Sequence, residues 1–305
     1  MSSILSRAKL GAQAGGRPPV AVELSPEGAL AAALPGPGQP PVYAFAPLPA
    51  GALIPGIGEP NLRAPEAIAG AIRKALGQVS PRTRIVTLVL PDTVVRVFVL
   101  DFDSLPSKAA EALPILRFRL RKMLPFDVEH TGLSYQILVQ SKTECKVLAV
   151  VLPIAILQEY EAAVRAAGYE PGVVLPSSLA ALEAINSMEA VLAANLSALA
   201  ITTFITNGQD LLLYRVLDLP EDPALRLSEI QRDIAVAAAF YEDKLQAPPR
   251  QLQYAGSYDA GEFARWIDTP ELAVVDLAPR PETGATTPLG HMSVAGVAGA
   301  LAGAR

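Results

Sequence analysis

The sequence predicts an α/β protein of two domains, and three observations carry that prediction. The chain has 305 residues, enough for two hydrophobic cores. Segments with strand period and helix period alternate along it. A hairpin pattern opens the chain and opens its second half again.

Taken in order, "VAVELSPEGALAAAL" (residues 20 to 34) reads as two strands around a Ser-Pro-Glu-Gly turn, with Gly28 supplying a permissive backbone. A Pro/Gly-rich loop, a short strand and a second loop follow. "APEAIAGAIRKALGQV" predicts an amphipathic helix, because Ile68, Ile72, Leu76 and Val79 recur every three or four residues and Pro65 suits a first turn. "RIVTLVL" is a buried strand. From Pro91 the spacing gives strand, helix, strand, strand, helix: "VVRVFVL", a helix with Leu113, Leu116, Leu120 and Leu124, "SYQILV", "KVLAVVL", and "AILQEYEAAVRAAG". Pro114 should kink or start its helix, and Gly168 should stop the last one.

The second half repeats the opening plan. "LAITTFITNGQDLLLYRVL" is a hairpin turning at Asn207-Gly208. A helix is expected from Ser228, with Ser228 and Gln231 as a capping box and Ile230, Ile234, Tyr241 and Leu245 inward. "RQLQYAGS" and "EFARWI" give a strand and a short helix, and "MSVAGVAGALAGAR" a small-residue helix.

Composition restricts the chemistry. Only 18% of residues are charged against 51% hydrophobic, fewer charges than the roughly 25% of an average soluble protein, so a partner-covered face is expected. A net charge of −5 opposes nucleic-acid binding by the chain as a whole. The single cysteine, Cys145, cannot form an internal disulfide and points to a reducing compartment. His130 and His291 lie far apart, which leaves zinc and Cys–His chemistry unsupported. No run reaches the ~20 apolar residues of a membrane span, and the first residues lack a signal-peptide core. The expectation is a cytoplasmic protein whose residues 1–19 form an N-terminal segment, disordered or an amphipathic turn.

Other candidate groups have structural explanations. Asp101 and Asp103 read as a solvated or helix-capping pair, Glu221-Asp222 as loop, and Ser177-Ser178 as the cap of the helix "SLAALEAI".

The stretch "LRFRLRKMLPFDVEHTGLSYQIL" (116–138) crowds Arg117, Arg119, Arg121 and Lys122 into six positions. It resembles the region of the PilM family, actin-like proteins of type IV pilus assembly, where a helix ends in Pro-Phe and a strand follows. "VLAVVLPIAILQEYEAAVRAAGYEP", "SSLAALEAI" and "SVAGVAGALAG" continue the resemblance. It implies an actin/Hsp70-like (ribonuclease H-like) two-domain fold with an inserted strand-helix-strand-strand-helix subdomain. The domains would be 20–185, carrying the insert at 92–170, and 186–305, with a reduced helical insertion and a C-terminal helix returning to the first domain. The four cations would then lie on a helix of the insert, solvated or docking acidic partners or headgroups.

The resemblance also locates where ATP and magnesium would bind, and the sequence departs at each place. Glycine is needed where backbone N–H groups approach phosphate, and carboxylate where a hard cation is held. Glu23 and Ser25 stand where the family carries Asp and Gly; Ala194 and Leu196 where Asp and Gly are expected in the second hairpin; and the glycine pair near adenosine is Ala255-Gly256. The expected function is therefore a non-catalytic scaffold of a type IV pilus or related secretion machine. It would have no cofactor and no metal, and would bind the cytoplasmic segment of a PilN-like inner-membrane protein. Membrane contact would be indirect, through partners. An extended peptide in an apolar groove between the first domain and the insert would need residue types such as Val95, Val97, Val99, Tyr135 and Ile137, which also read as ordinary core, so no partner-binding residue is assigned. The alternatives are an actin-like ATPase with a rearranged phosphate site built on Glu23, and a self-assembling structural protein.

Overall fold

The computed structural model describes residues 16–304 except 37, 59, 142–143, 209, 280, 282–288 and 290–291. The opening segment through residue 15, read above as disordered or an amphipathic turn, and His291 lie outside the described residues.

The first strands, β1 (Val20–Ser25) and β2 (Gly28–Ala33), pair antiparallel with Ser25 opposite Gly28, and β3 (Val42–Pro47) extends the sheet. The role given to Gly28 needs correction. It does not take positive φ; it is needed for space, since a Cβ there would run into the Ala46 carbonyl and the Phe45 ring of β3. Helix α1 (Pro65–Val79) has Pro65 in its first turn and buries Ile68, Ile72, Leu76 and Val79. Strand β4 (Ile85–Leu90) then lies parallel to β1.

The chain next builds a separate three-stranded sheet. A 3₁₀ turn (Asp92–Val94) leads into β5 (Arg96–Phe102), α2 (Ala109–Leu120), β6 (Thr131–Gln140) and β7 (Cys145–Pro153), ordered β5-β7-β6. Ala112, Leu116 and Leu120 of α2 pack on the sheet face carrying Cys145, Val147, Ala149 and Val151. Leu113, expected inward, is only half-buried. The helix runs through Pro114, which sits on its exposed side, where water can satisfy the carbonyl that loses its N–H partner.

Helix α3 (Ile154–Ala166) was assigned to the insert by its place in the 92–170 pattern, and the packing corrects this. Tyr160, Ala163 and Val164 join the core of the first domain, with α3 against α1 and against β8 (Glu170–Pro176). Gly168 ends the turn after α3 at φ +88°, a conformation that costs glycine little. The edge strand β8, not foreseen, completes the first sheet in the order β3-β2-β1-β4-β8, and α4 (Ser177–Leu182) follows it.

The second half repeats the plan without the insert. Its elements are β9 (Ala190–Leu196), β10 (Ala200–Asn207), β11 (Asp210–Asp218), α5 (Pro223–Leu245), β12 (Gln251–Gly256), α6 (Ala260–Ile267), β13 (Ala273–Asp276) and α7 (Ala295–Ala302). The sheet order β11-β10-β9-β12-β13 matches the first, with antiparallel pairing among its first three strands and parallel pairing beyond β9. The α5 start is corrected: it begins at Pro223, capped by Asp222, whose carboxylate accepts from Ala224 N (2.9 Å) and Leu225 N (3.0 Å). Ser228 lies inside the helix and donates to Leu225 O, while Gln231 donates to Trp266 O of α6. Asp233, buried on α5, accepts from Thr203 and pairs with Arg215 at 3.0 Å, which pins the helix to its sheet.

Helix α7 leaves the second domain and packs on α4, β1 and β2. A Cβ at Gly299 would collide with the Ala180 carbonyl of α4. The two helix backbones therefore touch, and small residues are required there. Gly299→Ala is expected to destabilise the protein by about 1–3 kcal/mol through overpacking. Gly77→Ala, in an exposed turn of α1 with open space around it, is expected to be neutral or stabilising by up to ~1 kcal/mol. Urea unfolding of both variants checks the pair, and equal effects would refute the close-packing account.

Candidate functional site

The two matching hairpins approach each other across the boundary between the sheets. Ser25, Pro26 and Glu27 from one turn and Leu196 to Leu199 from the other line a common cleft, with Glu23, Asp92, Ser177, Asn195, Gly256 and Ser293 also on its walls. Its cavity is about 90 Å³, well below the roughly 300 Å³ at which small-molecule pockets begin.

The polar residues of this cleft bond to one another. The side chain of Asn195, on β9, donates to Ser177 Oγ (3.1 Å) and Ser178 Oγ (2.9 Å) at the start of α4. Ser177 passes its hydroxyl hydrogen to Glu23 Oε1 at 2.6 Å, and Ser178 passes its own to Asp92 Oδ2. Asp92 also accepts from Ser178 N (3.0 Å) and from Thr202 Oγ1 (3.0 Å) on β10. One carboxylate at the root of the insert thus binds α4 of the first domain and β10 of the second. Buried polar groups are stable only when partnered, and this set is partnered across the domain boundary.

Burial governs the charges. Asp92 is raised above the usual carboxylate range by desolvation, although its hydrogen bonds from Ser178, Thr202 and Asn195 act in the opposite direction. Glu23 is pushed up to about 7 by burial, with the Ser177 bond opposing and the negative charges of Asp92 and Glu27 adding to it. Behind Glu23 stands Gly296 of α7, where a Cβ would collide with the carboxylate. The Tyr214 hydroxyl on β11 is likewise driven up by burial and by Asp92.

The structure brings together some of the sequence candidates and separates others. Glu23, Ser25, Leu196 and Gly256 line the cleft. Ala194 and Ala255 do not: Ala194 turns into the core of the second domain, and Ala255 joins the large core cluster that spans both domains. Besides Leu196, the β9 residue lining the cleft is Asn195, one position on from Ala194 and an amide rather than a carboxylate. Ser177 and Ser178 make no cap for α4; their hydroxyls are spent on Glu23 and Asp92. Asp101 and Asp103 are exposed and do not cap α2. Asp92 and Thr202 were missed altogether, because nothing local distinguishes them from a turn aspartate and a strand threonine.

The groove candidates also divide. Val95 is buried. Val97 and Val99 are half-buried on the sheet face away from α2, beside Leu138, Leu148 and Val150, and β5 also lies against β11 of the second domain. Tyr135 and Ile137 lie on the opposite face, packed under α2, so they share no groove with the valines.

These features do not fit a magnesium nucleotide. In the second turn, Ser197 Oγ accepts from Leu199 N (3.3 Å) and Ala200 N (3.0 Å), which occupies backbone donors a phosphate would need. The ionisable side chains lining the cleft are Glu23, Glu27 and Asp92, with no lysine or arginine among the lining residues to meet a phosphate. The Asp92 carboxylate is engaged by protein donors. Among the described residues no group of three or more His, Cys, Asp and Glu is placed to hold a metal ion.

Comparison with known proteins shows the fold. No protein-family model matches the chain, and no curated protein matches it. A solved structure titled as the PilM–PilN type IV pilus biogenesis complex superposes with a TM-score of 0.70 at 19% identity, covering 94% of this chain and 98% of that one. The cytoplasmic domain of EpsL, an inner-membrane component of the type II secretion system of Vibrio cholerae, superposes at TM-score 0.51 and 15% identity, covering 92% of each. The chain has the actin-like α/β fold, as expected from its sequence.

Two outcomes test the cleft. Native Glu23 keeps its proton up to about pH 7, whereas the unfolded carboxyl loses it near the ordinary value. Its contribution is therefore fully present below that ordinary value and is lost as pH rises through 7. Glu23→Gln, which mimics the protonated form, should be the more stable protein at pH 8 by on the order of 2–3 kcal/mol and should converge with wild type near pH 5. Thermal melts across that range check it; a pH-independent difference would refute the shifted carboxyl. Asp92→Ala strands the Ser178 and Thr202 donors and should cost roughly 2–3 kcal/mol in urea unfolding. A loss under about 1 kcal/mol would mean that the network does not hold the domains.

Proposed function

We propose that this protein is a non-catalytic scaffold of a type IV pilus or type II secretion machine, binding the cytoplasmic segment of a PilN-like inner-membrane protein. The observation that carries the non-catalytic part is the cleft itself, where the Asp92–Ser178–Asn195–Thr202 network and the capped Ser197 turn stand where this fold otherwise receives phosphates. Hydrogen bonds between side chains replace those that a nucleotide would make, so the two domains are held together without ligand. The likeness to the PilM–PilN structure over nearly the whole of both chains supports the choice of partner, and the likeness to the EpsL domain supports the choice of machine.

The peptide would run along the insert. On the sheet face away from α2, Val97, Val99 and Leu138 are only partly buried, which leaves apolar surface for alternate side chains of an extended segment. Among the described residues no helix is long and apolar enough to cross a membrane, so the protein would be carried to the membrane face by such a partner.

Calorimetry tests both parts. Titration with magnesium ATP should give no saturable heat, and millimolar nucleotide should leave the melting temperature unchanged. A synthetic peptide of the partner's cytoplasmic N-terminal segment should bind saturably, and Val99→Glu should weaken it by at least about tenfold while Phe118→Ser does not. Micromolar nucleotide binding would overturn the non-catalytic reading. Absence of peptide binding would overturn the partner assignment and leave the reading of the cleft intact.

A further inference from the structure

Helix α2 covers the insert with one face and leaves the other open. Phe118 is 68% exposed, Ile115 40% and Met123, just past the helix end, 44%. These are large apolar side chains with nothing packed over them, and they project from a convex helix surface. A groove would suit a peptide, whereas a projecting row suits an extended soft surface.

The cations of this helix separate by what they bond. Arg117 is structural: its guanidinium donates to the Val128 and Thr131 carbonyls of the turn beneath it. Arg121 pairs with Glu129 at 2.9 Å. Of the acids nearby, Glu111 pairs with Lys108 at 3.6 Å, and Asp127 is hydrogen-bonded to the His130 ring at 3.0 Å. Arg119 and Lys122 are left exposed, with no ion-pair partner among the described residues. At helical spacing, Ile115, Phe118, Arg119 and Lys122 share one face, so two unmatched positive charges interleave with the exposed rings and chains. This local positive charge stands out on a chain whose net charge is −5.

We infer that the open face of α2, centred on Phe118 with Arg119 and Lys122, is a contact surface for anionic lipid. Aromatic and aliphatic side chains seat at the boundary between headgroups and acyl chains, while the cations meet lipid phosphates, as in interfacial amphipathic helices. The contact is short and weak alone. It acts as a second attachment for a protein brought to the membrane by another route, since stable anchoring takes two signals. The inference stands on this helix and does not require the partner proposed above.

Sedimentation with vesicles tests it on the full chain. Vesicles of phosphatidylcholine containing about one-third phosphatidylglycerol should pellet the protein in low salt, and pure phosphatidylcholine should not. Raising the salt should release it. Phe118→Ser and the pair Arg119→Glu with Lys122→Glu should each reduce the bound fraction at least about fivefold, with unchanged melting temperatures because these side chains support no core. No pelleting with anionic vesicles, or equal pelleting of wild type and both variants, would overturn the inference. So would binding to polyglutamate without binding to vesicles, which would make the face a surface for acidic protein.

Discussion

The arrangement of the two domains depends on one buried carboxylate. Asp92 sits where the chain leaves β4 for the insert, and it accepts from α4 on one side and from β10 on the other. A carboxylate in that position is costly unless every lone pair is used, so the sequence must supply donors at Ser178, Asn195 and Thr202. Once they are present, opening the cleft means breaking bonds that water must replace one by one. The helices follow the same boundary. α7 crosses from the second domain to lie against α4, and its approach at Gly299 is close enough that backbone meets backbone. Polar bonding at the cleft and small-residue packing behind it hold the same hinge from two sides.

On the proposed scaffold reading, the cleft would be a ligand site closed by its own side chains. The hairpins, the strand order and the facing turns remain in place. The hydrogen bonds of the cleft end within the protein. Ser197 folds its hydroxyl back onto the turn N–H groups, and Asn195 feeds two serines that in turn feed two carboxylates. Each donor has been given an internal acceptor, and the space left over is small. The proposed scaffold role is consistent with that economy of donors, because a rigid two-domain body presents a constant surface to its partners.

Much of the architecture was legible in the residue pattern. The hairpins at Pro26–Glu27 and Asn207-Gly208, α1 and the insert strands follow from local periodicity and turn chemistry. β8 was hidden because Pro171, Gly172 and Pro176 read as loop, yet an edge strand tolerates them. The first turn of α5 was hidden by the two prolines around Glu221-Asp222, although Asp followed by Pro is a helix start in its own right. The α3 assignment failed for a different reason: sequence order placed it with the insert, and only tertiary packing returns Tyr160 to the first core. Of the cleft, Glu23, Ser25, Leu196 and Gly256 were found. Asp92 was not, since its partners lie 86 and 110 residues away in sequence and no local signal marks such a meeting.

The lone cysteine has a consequence of its own. Cys145 is fully buried among Val147, Leu116 and their neighbours in the core of the insert, and the chain holds no second thiol. Burial pushes that thiol above its ordinary range, which keeps it protonated while the insert stays closed. Any thiol reagent must therefore wait for the sheet and α2 to part. The protein carries a built-in clock for the breathing of one subdomain, readable without introducing a label, while the two larger cores around it stay silent.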